Sequence, residues 1–252
     1  MTAIDQPGAV TAAILIIGNE ILSGRTRDAN LPWLAERLNA SGIRLMEARV
    51  IPDIPEAIVA AVNETRSRFD YVFTTGGIGP THDDITSQCV ARAFGLPLIL
   101  DEEARARLQR HYPPGGLNEA RLRMAHVPEG ARLIDNPISA APGFQIGNVL
   151  VLAGVPAVMQ AMFEGIRHRL AGGRTMLSRA IAAYLGEGVI ATDLGALQAR
   201  YEDLEIGSYP FVRQGRFGAS FVIRGTEAGR IAACAEELEV IIRRLGAEPI
   251  TE

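Results

Sequence analysis

The segment Thr74-Thr75-Gly76-Gly77-Ile78-Gly79-Pro80-Thr81-His82-Asp83-Asp84-Ile85-Thr86 sets three glycines and two carboxylates between a buried run and a helical pattern. Glycines in such a turn let backbone amides approach a ligand closely, and a helix N-terminus adds unpaired N–H groups and a positive dipole. That combination suits a phosphate or pyrophosphate. Asp83 and Asp84 would repel a phosphate unless a cation lay between, and Mg²⁺ is usually held by one or two carboxylates together with substrate oxygens and water. The dinucleotide fingerprint is absent, because Gly77-x-Gly79 lacks its third glycine. A structural reading competes: Thr81-x-x-Asp84 has the form of a capping box, in which hydroxyl and carboxylate satisfy the first amides of a helix. Coupling to the glycine turn tips the balance toward chemistry.

Other acidic residues fall where chain-edge loops are expected. Asp53, in Ile51-Pro52-Asp53-Ile54-Pro55-Glu56, follows a strand-like run and is a metal ligand or general base if it faces a ligand, and a helix cap paired with Glu56 if not. On residue pattern alone the cap is favoured. Glu20, Asp28 and Asn30 lie in Gly18 to Asn30, the loop after the first strand; loops at that edge commonly carry function, although Asp28 or Asn30 would also cap the next helix. His82 stands beside the acidic pair, whereas His111, His126 and His168 have no carboxylate or cysteine company in sequence and read as packing or surface residues. Gly215-Arg216-Phe217-Gly218 matches the G-x-x-G of single-stranded RNA modules, but falls in a hairpin turn rather than between helices.

Composition narrows the classes. Every one of the 25 basic residues is arginine, which excludes a Walker-type P-loop, a kinase nucleotide site and any Schiff-base lysine. No G-x-S-x-G elbow exists for a serine hydrolase. A net charge of −4 argues against a dedicated nucleic-acid binder. Cys89 and Cys234 have no C-x-x-C partner, so neither a zinc knuckle nor a disulfide framework is expected, and a reducing, cytoplasmic setting fits. The apolar run from Ala12 to Gly18 is too short to span a bilayer and lacks a preceding arginine, so it reads as a strand and no membrane partner is expected.

The elements that must position these residues follow a strand–helix alternation. Strands are expected at Ala12–Gly18, Ile43–Ile51 and Tyr71–Thr75, and helices at Asn30–Ala40, Pro55–Arg68 and Thr81–Phe94. In such a doubly wound design ligands bind beyond the carboxyl ends of the strands, here Gly18, Ile51 and Thr75. Two helices broken at His111-Tyr112-Pro113-Pro114-Gly115-Gly116 are expected between Asp101 and Ala125, then paired strands at Ala140–Phe144 and Val149–Ala153 and a helix over Val155–Leu170. Gly172-Gly173 reads as a boundary. Beyond it, a strand at Ser178–Leu185, a helix at Thr192–Tyr201, a hairpin of Glu205–Val212 with Gly218–Arg224 and a helix at Glu227–Leu245 make a small α+β unit.

With these motifs in place, the chain resembles the molybdopterin-binding domain family, and within it the amino-terminal region of the competence/damage-inducible CinA proteins. The resemblance is dense from about Ile16 to Phe163. It rests on Ile17-Gly18-Asn19-Glu20-Ile21-Leu22-Ser23-Gly24, Asp28-Ala29-Asn30, Thr75 to Thr86, Val127-Pro128-Glu129-Gly130-Ala131, Asn136-Pro137, Ala141-Pro142-Gly143-Phe144 and Gly154-Val155-Pro156. It implies a three-layer α/β/α sandwich with a mostly parallel sheet over residues 11–170, followed by a small α+β, KH-like domain over 174–252. In cofactor-assembling relatives, aspartates matching Asp53 and Asp84 serve Mg-dependent adenylyl transfer to molybdopterin; in the CinA-like branch the site is associated with divalent-metal hydrolysis of ADP-ribose and similar dinucleotides. Two departures touch the ligand: Ser139-Ala140-Ala141-Pro142-Gly143 stands where relatives commonly have Gly-Thr-Ala-Pro-Gly, and Leu152-Ala153-Gly154-Val155-Pro156 where they have Leu-Pro-Gly-Val-Pro. The deamidase domain of full-length CinA proteins is not present in these residues, so nicotinamide-mononucleotide deamidation is not expected.

The expectation is therefore a metal-dependent pyrophosphohydrolase of ADP-ribose-like nucleoside diphosphates; its rivals are a non-catalytic pterin or nucleotide module, molybdopterin adenylyl transfer, or RNA contact through the second unit. Asp53 and Asp84 are the expected catalytic residues, and Asp53, Asp83 and Asp84 the expected ligands of Mg²⁺ or Co²⁺. Gly18, Glu20, Asp28, Asn30, Thr75, Gly76, Gly77, Gly79, Thr81, Pro142 and Gly143 are the expected binding residues. A small-molecule nucleotide or pterin, molybdopterin included, is the expected partner, in a homo-oligomer without nucleic acid.

Overall fold

The computed structural model describes residues 9–251; Glu252, the expected end of the second domain, lies outside them. Two compact units emerge, one of residues 10–173 and a second built from 174 onward.

In chain order the first unit runs β1 (Val10–Ile17), α1 (Asn19–Leu22), α2 (Asn30–Ala40), β2 (Ile43–Ile51), α3 (Pro55–Arg68), β3 (Tyr71–Thr75), α4 (Thr86–Phe94) and β4 (Leu98–Leu100). It continues through α5 (Glu102–His111), α6 (Glu119–Leu122), β5 (His126–Pro128), β6 (Arg132–Ile134), β7 (Gly143–Ile146), β8 (Val149–Leu152) and α7 (Pro156–Ile166). The main sheet has the order β2-β1-β3-β8-β7-β6. Its first four strands are parallel, while β7 and β6 reverse direction in turn, so the sheet is mixed.

Burial explains the layers. β1 is buried from Ala12 through Ile17, as a strand covered on both faces must be. Its alternate side chains separate cleanly. Ala12, Ile14 and Ile16 pack with Leu34 and Leu38 of α2 and Met159, Met162 and Phe163 of α7. Leu15 and Ile17 pack with Ile58 and Val62 of α3 and Cys89 and Val90 of α4. The result is the three-layer α/β/α sandwich.

Three local differences from expectation have physical causes. Helix α4 starts at Thr86 rather than Thr81, because Asp84 Oδ2 accepts the Thr81 amide (2.8 Å) and hydroxyl (2.5 Å) and closes a separate turn ahead of the helix. The residues after Gly18 form a helical turn, α1, where only a loop was expected. β4, β5 and β6 are three-residue strands, too short to show any alternation in sequence, and β4 pairs with β5 in a sheet of their own.

The second unit comprises β9 (Leu177–Ala183), α8 (Glu187–Arg200), β10 (Glu205–Arg213), β11 (Arg216–Gly225), α9 (Ala228–Arg244) and β12 (Ile250–Thr251). Its antiparallel sheet, ordered β10-β11-β9-β12, packs Ile181, Phe221 and Ile223 against Ile190 and Leu197 of α8 and Cys234 and Leu238 of α9. The β10–β11 hairpin closes on Gln214-Gly215, both at positive φ, as a two-residue turn of its hand requires. The G-x-x-G tetrapeptide therefore spans this turn and the start of β11. Among the described residues no helix is long and apolar enough to cross a membrane.

Candidate functional site

Parallel pairing brings the carboxyl ends of β1, β2, β3 and β8 to one edge of the main sheet. Because β7 runs against β8, the segment entering β7 reaches the same edge, and so does the loop leaving β6. Residues 18–29, 52–54, 76–85, 135–142 and 153–155 thus converge there from five points in the chain.

The glycine turn is folded tightly onto its neighbours. Gly76 has φ +98°, and a Cβ on it would lie 2.2 Å from the Ile17 carbonyl oxygen. Two separate constraints therefore demand glycine. Thr86 pins the turn to the start of α4: its hydroxyl donates to the Gly76 carbonyl (3.0 Å) and its amide to the Gly77 carbonyl (3.0 Å). The amides of Gly77, Ile78 and Gly79 donate to no acceptor among the described residues. Three consecutive free donors in one turn form a concavity suited to anionic oxygen.

These residues line a cleft of about 580 Å³ together with Glu20, Thr26, Gly76, Pro80, Asp84, Tyr112, Asn136, Ser139 and Gly154. A smaller lobe of about 70 Å³ shares Glu20 and Gly76 and adds Arg27, Asp28, Asn30 and Thr75. Asn30 and Thr75, two residues of this smaller lobe, each carry a buried polar atom, Oδ1 and Oγ1, that has no hydrogen-bond partner among the described residues. An orphaned buried acceptor costs about 1–3 kcal/mol unless something satisfies it. Asn30 is held by its other amide atom, Nδ2, which donates to the Gly154 carbonyl at 2.8 Å. That bond fixes the orientation of the side chain and leaves Oδ1 without a partner. Asp28 accepts the Leu31 amide (2.8 Å) and caps α2, leaving Asn30 for this bridge.

The expected site residues divide into two groups. Glu20, Asp28, Asn30, Thr75, Gly76, Gly77, Gly79 and Asp84 line the two lobes. Gly18, Asp53, Thr81, Asp83, Pro142 and Gly143 do not. Asp53 Oδ2 accepts the Asn19 amide at 2.8 Å, so it caps α1 across the edge rather than its own helix with Glu56. Thr81 is committed to Asp84, and its hydroxyl also draws the exposed Asp83 carboxyl below the usual carboxylate range. Pro142 and Gly143 are buried; a Cβ on Gly143 would lie 2.2 Å from the Val151 carbonyl oxygen, so this glycine serves strand packing. Asp53, Asp83 and Asp84 are not gathered as a set: among the described residues no group of three or more His, Cys, Asp or Glu side chains forms a metal cluster.

Sequence reasoning missed Tyr112 and Asn136 as cleft residues. Tyr112 terminates α5, far from the glycine turn in sequence, and reads there only as part of a Pro-Pro-Gly-Gly stop. Its ring lies under the Arg121 guanidinium, 4.3 Å from the centroid. An aromatic residue just before a rigid turn was the available signal. Asn136 organises the loop over 136–141, donating to Ser139 Oγ (2.6 Å) and the Ala141 carbonyl (2.8 Å) while accepting the Ile138 and Ser139 amides.

The profile of a family described as "Probable molybdopterin binding domain" matches residues 13–171. The chain belongs to this molybdopterin-binding domain family. The crystal structure of the protein CinA from Thermoplasma acidophilum, 34% identical, superimposes with a TM-score of 0.60 over 64% of this chain and 98% of that one. A CinA-like protein of Citrifermentans bemidjiense is 41% identical over 158 residues, 60% of this chain but 38% of its own length. The first unit is thus a CinA-like molybdopterin-binding domain. Residues 175–245 match a second profile, "FAD synthase, middle domain". A probable FAD synthase of Caenorhabditis elegans aligns with 94% of this chain at 31% identity, and the chain spans about half of that relative's length (51%). Both units of the chain therefore have counterparts in one relative.

Proposed function

We propose that the cleft binds the pyrophosphate of an ADP-ribose-like nucleoside diphosphate and hydrolyses it with a divalent cation, Mg²⁺ or Co²⁺. The supporting observation is the pairing of three unengaged amides at Gly77, Ile78 and Gly79 with acidic side chains, Glu20 and Asp84, in a larger lobe that no arginine lines. Amides alone welcome a phosphate, but two carboxylates beside it do not. A bound cation reconciles them. The donor set fits: among the described residues Asp84 Oδ1 and both Glu20 carboxylate oxygens have no protein partner, and Mg²⁺ typically takes one or two carboxylates with phosphate oxygens and water completing its shell. Such a cation supplies Lewis-acid polarisation of the phosphoryl oxygen.

In this reading the glycine-turn amides hold the phosphate and disperse charge as the bridging P–O bond breaks. Asp84 orients the attacking water, whose oxygen forms the new bond to phosphorus, leaving two monophosphates. Asp53 acts through α1, whose first amide it fixes and whose second residue is Glu20. It is a positioning residue. Tyr112, which lines the cleft, offers the ligand's base a ring. A cleft of this size falls within the usual range for small-molecule sites.

The relation to a probable FAD synthase favours one further substrate, because FAD carries the same ADP pyrophosphate. The test is product formation from ADP-ribose and FAD, each with and without Mg²⁺ or Co²⁺, by wild type and Asp84→Asn. Metal-dependent release of AMP by wild type, lost in the variant, supports hydrolysis. Tight binding without product selects a non-catalytic module, and turnover only with a pterin and ATP selects adenylyl transfer.

A further inference from the structure

A second concavity of about 420 Å³ adjoins the cleft, lined chiefly by Arg107, Arg110, His111, Asp135, Asn136 and Ala140. Asn136 lines both spaces, and the chain neighbours His111/Tyr112 and Ser139/Ala140 each contribute one residue to either side. Their charges are opposite. The larger lobe of the cleft presents Glu20 and Asp84 with no arginine, whereas the second space holds two arginines and a histidine against one acid. That acid is already matched, since Asp135 and Glu103 both accept from Arg107. Arg110 has no ion-pair or hydrogen-bond partner among the described residues, and the His111 ring makes only an edge contact with Tyr112 at 5.1 Å. A cation in the last turn of α5 also complements the helix dipole. That role needs no concavity, and none that shares Asn136 with the cleft.

We propose that Arg110 and His111, with Arg107 fixed behind them, form a second anion subsite that takes a phosphomonoester on the same ligand whose pyrophosphate lies on the glycine turn. The inference rests on the nucleotide reading for the ligand's identity and on the concavity's own charge for the anion. It names the substrate class more narrowly: a nucleoside diphosphate derivative bearing an additional terminal phosphate. A planar guanidinium with free donors is the group best suited to such a dianion, and His111 adds one N–H when protonated.

Two matched ligand pairs differ by one phosphomonoester, NADP⁺ against NAD⁺ and coenzyme A against its 3′-dephospho form. Calorimetric titration at about 0.1 M salt should show wild type binding the phosphorylated member of at least one pair about tenfold more tightly, the scale of one charge-assisted hydrogen bond. Arg110→Gln should reduce that preference to about twofold or less. Equal binding within both pairs, or a preference that survives Arg110→Gln, overturns the proposal. A titration with inorganic phosphate, followed at the His111 imidazole resonances, separates the two readings. A saturable shift kept in Asp84→Asn and lost in Arg110→Gln supports the subsite even if no nucleotide binds, in which case only the nucleotide reading falls. No saturable shift at His111 removes the subsite.

Discussion

Asp84 carries the proposed chemistry because Oδ2 is spent on Thr81 while Oδ1 has no protein partner among the described residues. Asp84→Asn should leave the fold intact, since an amide oxygen still accepts from Thr81, while metal-dependent turnover falls by about 100-fold or more, at or beyond the loss typical for residues that merely support a metal ligand. Steady-state kinetics beside a circular dichroism spectrum checks both halves; unchanged turnover would remove Asp84 from the mechanism. Gly76→Ala should behave in the opposite way. The strained φ and the 2.2 Å approach to Ile17 together displace the turn, so stability drops before any ligand is added, by more than about 1 kcal/mol. A denaturation midpoint equal to wild type would contradict this. Both positions stood out in the sequence, Gly76 for the close turn that glycine allows and Asp84 for a carboxylate beside it. Asn30 was legible only as a loop polar group: that its Nδ2 would be tied to Gly154, 124 residues away, and its Oδ1 orphaned, depends on a contact no local pattern encodes.

The strands and helices that set the edge were readable because they are long or buried on both faces. β1, β2, β3, α2 and α3 lie within about two residues of their expected bounds, and α2, β2, α3 and β3 match them. What local patterning misjudged is the helix start after the glycine turn, where Thr81-x-x-Asp84 has capping-box chemistry without a helix. It also missed the short strands β4 to β6, whose pairing depends on the sheet next to them rather than on their own residues. Caps were mis-assigned for a related reason. Asp53 looks like the cap of α3 because it precedes Pro55, yet its carboxylate reaches the first amide of α1 through parallel strand pairing. Asp53→Ala should therefore cost about 1 kcal/mol, as loss of a cap does, and loosen α1 rather than α3. Hydrogen exchange at Ser23, whose amide bonds the Asn19 carbonyl, should accelerate while exchange in α3 stays as in wild type. Faster exchange in α3 alone would restore the cap to its own helix.

At the scale of the whole molecule, each unit buries one cysteine. Burial pushes the Cys89 and Cys234 thiols up to about 11. A thiol whose folded pKa lies above its unfolded value leaves stability untouched below about pH 8.5 and lowers it as pH rises toward the folded value, because only the unfolded chain releases the proton readily. Both thiols should accordingly resist alkylation at pH 8 in the native protein and react as it unfolds. The boundary between the units calls for a different experiment. Gly172-Gly173 reads in sequence as a flexible joint, but these glycines are pressed onto the first unit: the Gly173 amide donates to the Gly42 carbonyl at 2.9 Å, and a Cβ on Gly172 would lie 1.7 Å from the Ser41 carbonyl oxygen. Small residues are needed there for close backbone approach, not for freedom. The next residue, Arg174, is exposed, and its one side-chain partner among the described residues is the exposed Glu227, the kind of surface pair worth about 1 kcal/mol or less. Brief trypsin digestion should therefore cut after Arg174 and leave a fragment ending there that retains the whole cleft and its ligand-induced thermal shift. Gly172→Ala should make the same bond more labile, since the displaced segment no longer docks on Ser41 and Gly42. Cleavage first after Arg25 or Arg27, with 172–174 intact, would show that the loop after β1 and not this junction is the least protected part of the chain.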